Sequence, residues 1–172
     1  KKGKNFKVNC PTSYLATIEF ENNSIIQVTL SFDVAAHQRN HIEVYGTKGS
    51  AIVPDPNMFG GSCHIFTSSS GKWNEYKTDE MYLGKINITS QSSRANESAS
   101  NANYRGAGLS EMAYSIEQNK AHKCSVELSL HVLDIIISTM RACTTSSSQE
   151  IKTSCNKPNY FSEDDVRKLL II

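Results

Sequence analysis

Apolar and polar side chains alternate along the first part of the chain with the two-residue period of a β-strand. Over residues 12–20, Tyr14, Ala16, Ile18 and Phe20 fall on one side, and Ser13, Thr17 and Glu19 on the other. Glu21-Asn22-Asn23 reads as a hairpin turn, because asparagine tolerates positive φ at little cost. Ile26, Val28, Leu30, Phe32 and Val34 then resume the alternation against Gln27, Thr29, Ser31 and Asp33. The same reasoning predicts strands over 40–46, 50–53, 63–67 and 73–77, the last two joined by Ser69-Ser70-Gly71. Strands joined by turns this short run antiparallel, since a parallel return takes about a dozen residues or more.

The stretch GTKGSAIVPDPNMFGG, residues 46–61, has the glycine and lysine content of a phosphate-binding loop. Such a loop must lead directly into a helix, whose backbone N–H groups then face the anion. Here AIVPDP follows, a short strand ended by two prolines. Thr47-Lys48-Gly49 is therefore expected to be a hairpin turn with Gly49 at positive φ. Residues 79–103 lack a period and are rich in serine and asparagine, which reads as a long loop, functional or disordered.

The period changes after residue 106. Leu109, Met112, Ala113 and Ile116 fall at i, i+3, i+4 and i+7 and predict a helix stopped at Asn119. Ser125 is a cap for a longer helix from Val126 to about Cys143, with Glu127 well placed against the macrodipole. Val126, Leu130, Leu133, Ile137 and Met140 form its stripe, widened by Leu128, Val132, Ile135 and Ile136, a breadth that predicts burial on most sides. Residues 149–154 are expected to return as an edge strand, and Ser162-Glu163-Asp164-Asp165 to open a last short helix. Strands first and helices afterwards predict an α+β fold, an open, predominantly antiparallel sheet with helices packed on one face. Residues 1–172 are read as a single α+β domain.

Composition narrows the function. The 172 residues carry 18 Lys and Arg against 17 Asp and Glu, a balance that argues against nucleic acid or a membrane as partner. No apolar run approaches the roughly 20 residues of a membrane span. Five widely spaced cysteines without a CxxC pair argue against a disulfide framework or a zinc site, and point to a reducing, cytoplasmic setting. The chain starts with Lys1 and is expected to be part of a longer protein.

Candidate chemistry is sparse. Glu127, His131 and Asp134 share one edge of the second helix, where a histidine between carboxylates would be held charged or oriented. Ordinary i, i+4 pairing on a helix edge is the stronger reading. Tyr104-Arg105-Gly106-Ala107-Gly108 leads into the first helix, so either backbone N–H groups and Arg105 face an anionic or hydroxyl-rich ligand, or the segment is a flexible helix entry with Arg105 in a surface ion pair. Asn57-Met58-Phe59-Gly60-Gly61 offers a second contact loop or a plain turn. His41, Ser50 and Asp33 lack the elbow of a hydrolase. Tyr104, Arg105, Asn57 and His131 are the candidate substrate contacts; no residue is assigned to catalysis, cofactor or metal.

Three segments in order, PTSYLATIEFENN, HIEVYGTKGSAIVPDPNMFGG and YRGAGLSEMAYSIEQNKAHKCSVELSLHVLDIIIS, resemble the C-terminal domain of the Gfo/Idh/MocA oxidoreductases over residues 11–158. The resemblance implies a partner Rossmann domain, N-terminal to this one, that holds NAD or NADP. It implies that this domain supplies part of a sugar or polyol pocket and an oligomer surface on the open sheet. The cofactor glycines, the Glu-Lys-Pro lysine and the Asp-x-x-x-His pair of the family have no counterpart here. The isolated chain is therefore expected to bind no nicotinamide cofactor and to turn over no substrate. Two alternatives are a non-catalytic assembly scaffold and a stand-alone module that binds a small ligand near Tyr104 and Arg105.

Overall fold

The computed structural model describes residue 3, residues 7–86, residue 104, residues 106–162 and residues 164–165. Among these residues lie six strands and two α-helices, an α+β fold with open antiparallel sheets. The strands are β1 (Ser13–Glu19), β2 (Ile25–Ser31), β3 (Ile42–Gly46), β4 (Gly49–Val53), β5 (Ser62–Thr67) and β6 (Lys72–Lys77). The helices are α1 (Ala107–Glu117) and α2 (Val126–Thr145). The pairing departs from a single sheet: β1 and β2 form a hairpin of their own, and β3-β4-β5-β6 form a four-stranded meander. The chain divides into two compact units, Lys1–His37 with Ser125–Lys157, and Gln38–Cys124 with Pro158–Ile172.

In the first unit Asn23 sits at φ 64°, the left-handed position that closes the β1–β2 turn, and Asn23 N donates to Phe20 O at 2.9 Å. Tyr14, Ala16 and Ile18 are half-buried while their neighbours in sequence are exposed, as the alternation requires. Ser125 caps α2, its Oγ accepting from Leu128 N at 3.2 Å, and Ser146 ends the helix in the left-handed conformation. The helix lies against β1. Its breadth of apolar surface is not buried on most sides, because one hairpin is too little to cover it. Val126, Leu130, Val132, Leu133, Ile136, Ile137 and Met140 stay exposed, and the one fully buried helix residue is Ser138.

Residues 149–154 do not pair as an edge strand. Lys152 and Thr153 bond instead to α2, chiefly through Asp134. Asp134 Oδ2 accepts from Lys152 N at 2.9 Å, Thr153 N at 3.0 Å and Thr153 Oγ1 at 3.0 Å, while Ser138 Oγ donates to Oδ1 at 3.3 Å. A carboxylate thus satisfies the backbone groups that a neighbouring strand would have satisfied.

In the second unit the β3–β4 connection is a hairpin as expected, but its loop is the two residues Thr47-Lys48 alone. Gly49 is not the left-handed turn residue: at φ 159° it is extended and begins β4. Glycine is needed there because a Cβ would lie 2.1 Å from the Phe66 carbonyl oxygen of β5. Asn119 closes α1 at φ 51°, with Lys120 N donating to Ser115 O at 2.8 Å. Ser162 and Asp165 cap each other reciprocally, Ser162 N donating to Asp165 Oδ2 and Asp165 N to Ser162 Oγ, both at 3.1 Å. Asp164 and Asp165 are helical, and the rest of the predicted last helix lies outside the described residues, as do residues 87–103 of the predicted loop.

The first helix reverses its expected polarity. Leu109 and Ile116 of the apolar stripe are 73% and 69% exposed, whereas Glu111 and Ser115 are 6% and 5% exposed. Glu111 Oε1 and Oε2 each accept from Lys123 N at 3.1 Å, and Ser115 Oγ donates to Oε1 at 2.9 Å. A buried carboxylate survives away from water because charge-assisted hydrogen bonds replace its hydration.

Candidate functional site

The segment after β4, Pro54-Asp55-Pro56-Asn57-Met58-Phe59-Gly60, builds a corner on the second unit. Asp55 precedes a proline and has a side chain able to bond two residues ahead, the recipe for an Asx turn. Its Oδ1 accepts from Asn57 N at 2.9 Å, and Pro56–Met58 wind into a single 3₁₀ turn. The turn ends in strain. Phe59 sits at φ 65°, ψ −70°, and Gly60 N donates across it to Met58 O at 2.9 Å. This is a γ-turn of the rare kind, at positive φ in a bulky residue, which costs on the order of 1–3 kcal/mol. Such strain persists only where the surroundings over-determine it.

The surroundings here do so from several directions. Phe59 pairs with Ile86 in an isolated antiparallel bridge. Its ring lies 5.3 Å from that of Tyr104, tilted by 49°. Behind the turn, Thr78 Oγ1 accepts from Gly61 N at 3.0 Å and donates to Gly84 O at 2.6 Å. Gly84 has no room for a side chain: a Cβ would fall 1.8 Å from the Thr78 carbonyl oxygen. Farther in, Tyr82 meets Phe161 edge-on at 5.5 Å, and Lys123 Nζ stands 5.1 Å over the Phe161 ring. Burial, then the charge of Glu111, then Tyr104, push the Tyr82 hydroxyl above its ordinary value, so it remains a neutral donor.

The outward side of the corner is polar. Asn57 is exposed, and Asp55 Oδ2 lies 3.9 Å from His41 Nε2. A carboxamide and an oriented carboxylate thus stand on the turn whose Phe59 ring packs on Tyr104, with the His41 imidazole beside the carboxylate. This set can donate to and accept from hydroxyl groups. Among the described residues, no three His, Cys, Asp or Glu side chains are placed to hold a metal ion, and no disulfide joins the cysteines, all five of which are described.

Of the candidate contacts read from the sequence, the structure brings Tyr104 to the Asn57 turn through Phe59. Arg105 lies outside the described residues. Gly106 opens α1 without a side-chain cap. His131 belongs to the other unit, where its Nδ1 lies 3.0 Å from Thr153 Oγ1. Because the Thr153 hydroxyl proton goes to Asp134, that oxygen accepts from His131, which carries its proton on Nδ1. Bonding on this helix edge is therefore tertiary as well as along the helix. Sequence reasoning missed Asp55, considered His41 only beside Ser50 and Asp33, and placed Phe59 in a contact loop without its strain. The Asp-Pro-Asn string was the available signal for the first; the strain at Phe59 has none in a local pattern.

Compared with known proteins, the chain matches no family model, no curated protein and no solved structure.

Proposed function

We propose that this chain is the substrate-binding and assembly domain of an NAD(P)-dependent oxidoreductase of the Gfo/Idh/MocA type, acting on a sugar, polyol or related carbonyl compound. The observation that carries the reading is the corner itself. There the strained Phe59 turn of PDPNMFGG is seated on Tyr104, with groups able to bond hydroxyls at Asn57, Asp55 and His41. Strain held in place by surrounding contacts is a mark of functional loops. In this reading the nicotinamide cofactor is held by a separate Rossmann domain, and the domain described here orients substrate hydroxyls.

Self-association through the open sheet belongs to the same proposal. A two-stranded hairpin is marginal by itself in water and needs further strands or a covering layer. The outward face of β1 and β2 sets exposed Leu15 and Ile25 among Thr17, Gln27 and Thr29, a semi-polar composition of the kind found at subunit interfaces.

A thermal-shift series with sugars and polyols tests the corner. A ligand that binds the folded state at a hundred times its Kd adds about 2.7 kcal/mol of stability. At least one compound is expected to raise Tm in a saturable way, and Tyr104→Ala and Asn57→Ala are each expected to remove the rise. NADH alone is expected to give no calorimetric signal. A chain that responds to NADH, or to no sugar or polyol, contradicts the reading.

A further inference from the structure

One face of the four-stranded sheet carries chemistry that the corner does not use. Cross-strand partners share a face, as do residues two apart along a strand. The register therefore lays Tyr45, Ser50, Phe66 and Trp73 side by side across β3, β4, β5 and β6. The adjacent row on the same face is Glu43, Ile52, His64 and Glu75. Tyr45 is 74% exposed and Trp73 51%, and the Phe66 ring lies 5.7 Å from that of Trp73, tilted by 52°. The row crosses three strand spacings, about 14 Å. The opposite face holds Ile42, Val44, Ala51 and Ile65, so the aromatic residues are not there to complete that apolar side.

Both carboxylates beside the row are held in place. Glu43 accepts from Asn40 Nδ2 at 2.6 Å and from Tyr45 Oη at 2.7 Å, and Glu75 accepts from Ser62 Oγ at 2.6 Å. These bonds favour the ionised form, and each carboxylate oxygen keeps lone-pair capacity for another donor. The result is an exposed aromatic strip bordered by fixed hydrogen-bond acceptors.

We propose that this face binds a neutral oligosaccharide, its sugar rings lying along Tyr45, Phe66 and Trp73 and its hydroxyls donating to Glu43 and Glu75. A sugar ring has an apolar C–H face edged with hydroxyls. It complements an apolar strip edged with acceptors, and its polarised C–H groups meet the negative faces of the aromatic rings. Nucleic acid would stack on the same rings, but Glu43 and Glu75 oppose its phosphates, and Lys77 on this face offsets only one of the two. A second copy set face to face would desolvate Glu43 and Glu75 of both chains, a costly way to bury charge. The inference stands apart from the corner and does not depend on the oxidoreductase reading.

Trp73 is the chain's single tryptophan, so its fluorescence reports this face alone. The protein is titrated with maltohexaose, cellohexaose, xylohexaose and chitohexaose. At least one is expected to give a saturable blue shift, weakened about ten-fold in Kd by Tyr45→Ala and unchanged by Tyr104→Ala. Calorimetry with Trp73→Ala is expected to show the same weakening. No saturable response to any of the four overturns the proposal, as does a response that Tyr45→Ala leaves intact. A blue shift that grows with protein concentration in the absence of sugar gives the face to a second copy and also overturns it.

Discussion

Glu111 is the side chain whose removal has the most calculable consequence. Its carboxylate is 6% exposed and takes the Lys123 N–H on both oxygens and the Ser115 hydroxyl on one. In Glu111→Ala both donors lose their partner inside the second unit. A hydrogen bond to a charged group contributes about 1.5–3 kcal/mol, and a buried donor left unsatisfied costs about 1–3 kcal/mol. These ranges overlap, at about 1.5–3 kcal/mol, as descriptions of the same loss, so two donors give roughly 3–6 kcal/mol in all. Removal also frees the 120–124 turn from α1, so the damage is expected to spread to the Lys123–Phe161 contact. Glu111→Gln keeps one carbonyl oxygen to accept the Lys123 N–H and is expected to cost about half as much. Urea titrations of the three proteins, followed by far-ultraviolet circular dichroism, give the differences from the midpoints at constant slope. A loss below about 1 kcal/mol for Glu111→Ala would mean that water replaces the carboxylate freely, and would refute the claim that α1 is anchored by its polar side.

Two further predictions concern the loops. Gly84→Ala forces a methyl into the Thr78 carbonyl, where the overlap is with backbone and has no rotamer escape. It is expected to destabilise by more than about 2 kcal/mol and to release Phe59 from Tyr104, seen as changed amide shifts at 58–61; near-neutral stability contradicts the packing. For Asp134, desolvation acts upward, but the hydrogen bonds from Thr153, Lys152 and Ser138 prevail and hold the carboxyl below its ordinary value. A depressed folded pKa contributes stability that is present above the unfolded value, near pH 4, and is lost as pH falls through the lower folded value. The Lys152 and Thr153 amide shifts are therefore expected to stay constant from neutral pH to about pH 4 and to titrate only below it; a midpoint at or above about pH 4 contradicts the clasp.

The strands were legible because alternation and turn chemistry are local. Asn23 in the left-handed region, Gly71 after Ser69-Ser70, and Ser125 as a cap are each decided within a few residues. What was not legible depends on distant partners. Leu109 and Ile116 mark an apolar stripe, yet α1 is buried on Glu111 and Ser115, because a backbone N–H at Lys123 meets the carboxylate. Residues 149–154 alternate as a strand does, yet Asp134 takes their backbone bonds in place of a neighbouring strand. The division into two sheets depends on which strands pair beyond the hairpins, and alternation carries no such information. At the corner, the Asp55 turn could be read from its residues, whereas the Tyr104 ring on Phe59 and the strain it holds are products of the tertiary fold. On the sheet, alternation indicated sides, but only the register aligned Tyr45, Phe66 and Trp73 into one row.

The central claim is that the corner formed by Asn57, Phe59 and Tyr104 receives a sugar or polyol. Amide resonances recorded during titration with such compounds test it residue by residue. Saturable shifts confined to 55–61 and the start of α1, abolished in Tyr104→Ala, are the predicted result. Shifts absent throughout, or centred elsewhere on the chain while these amides stay still, would contradict it.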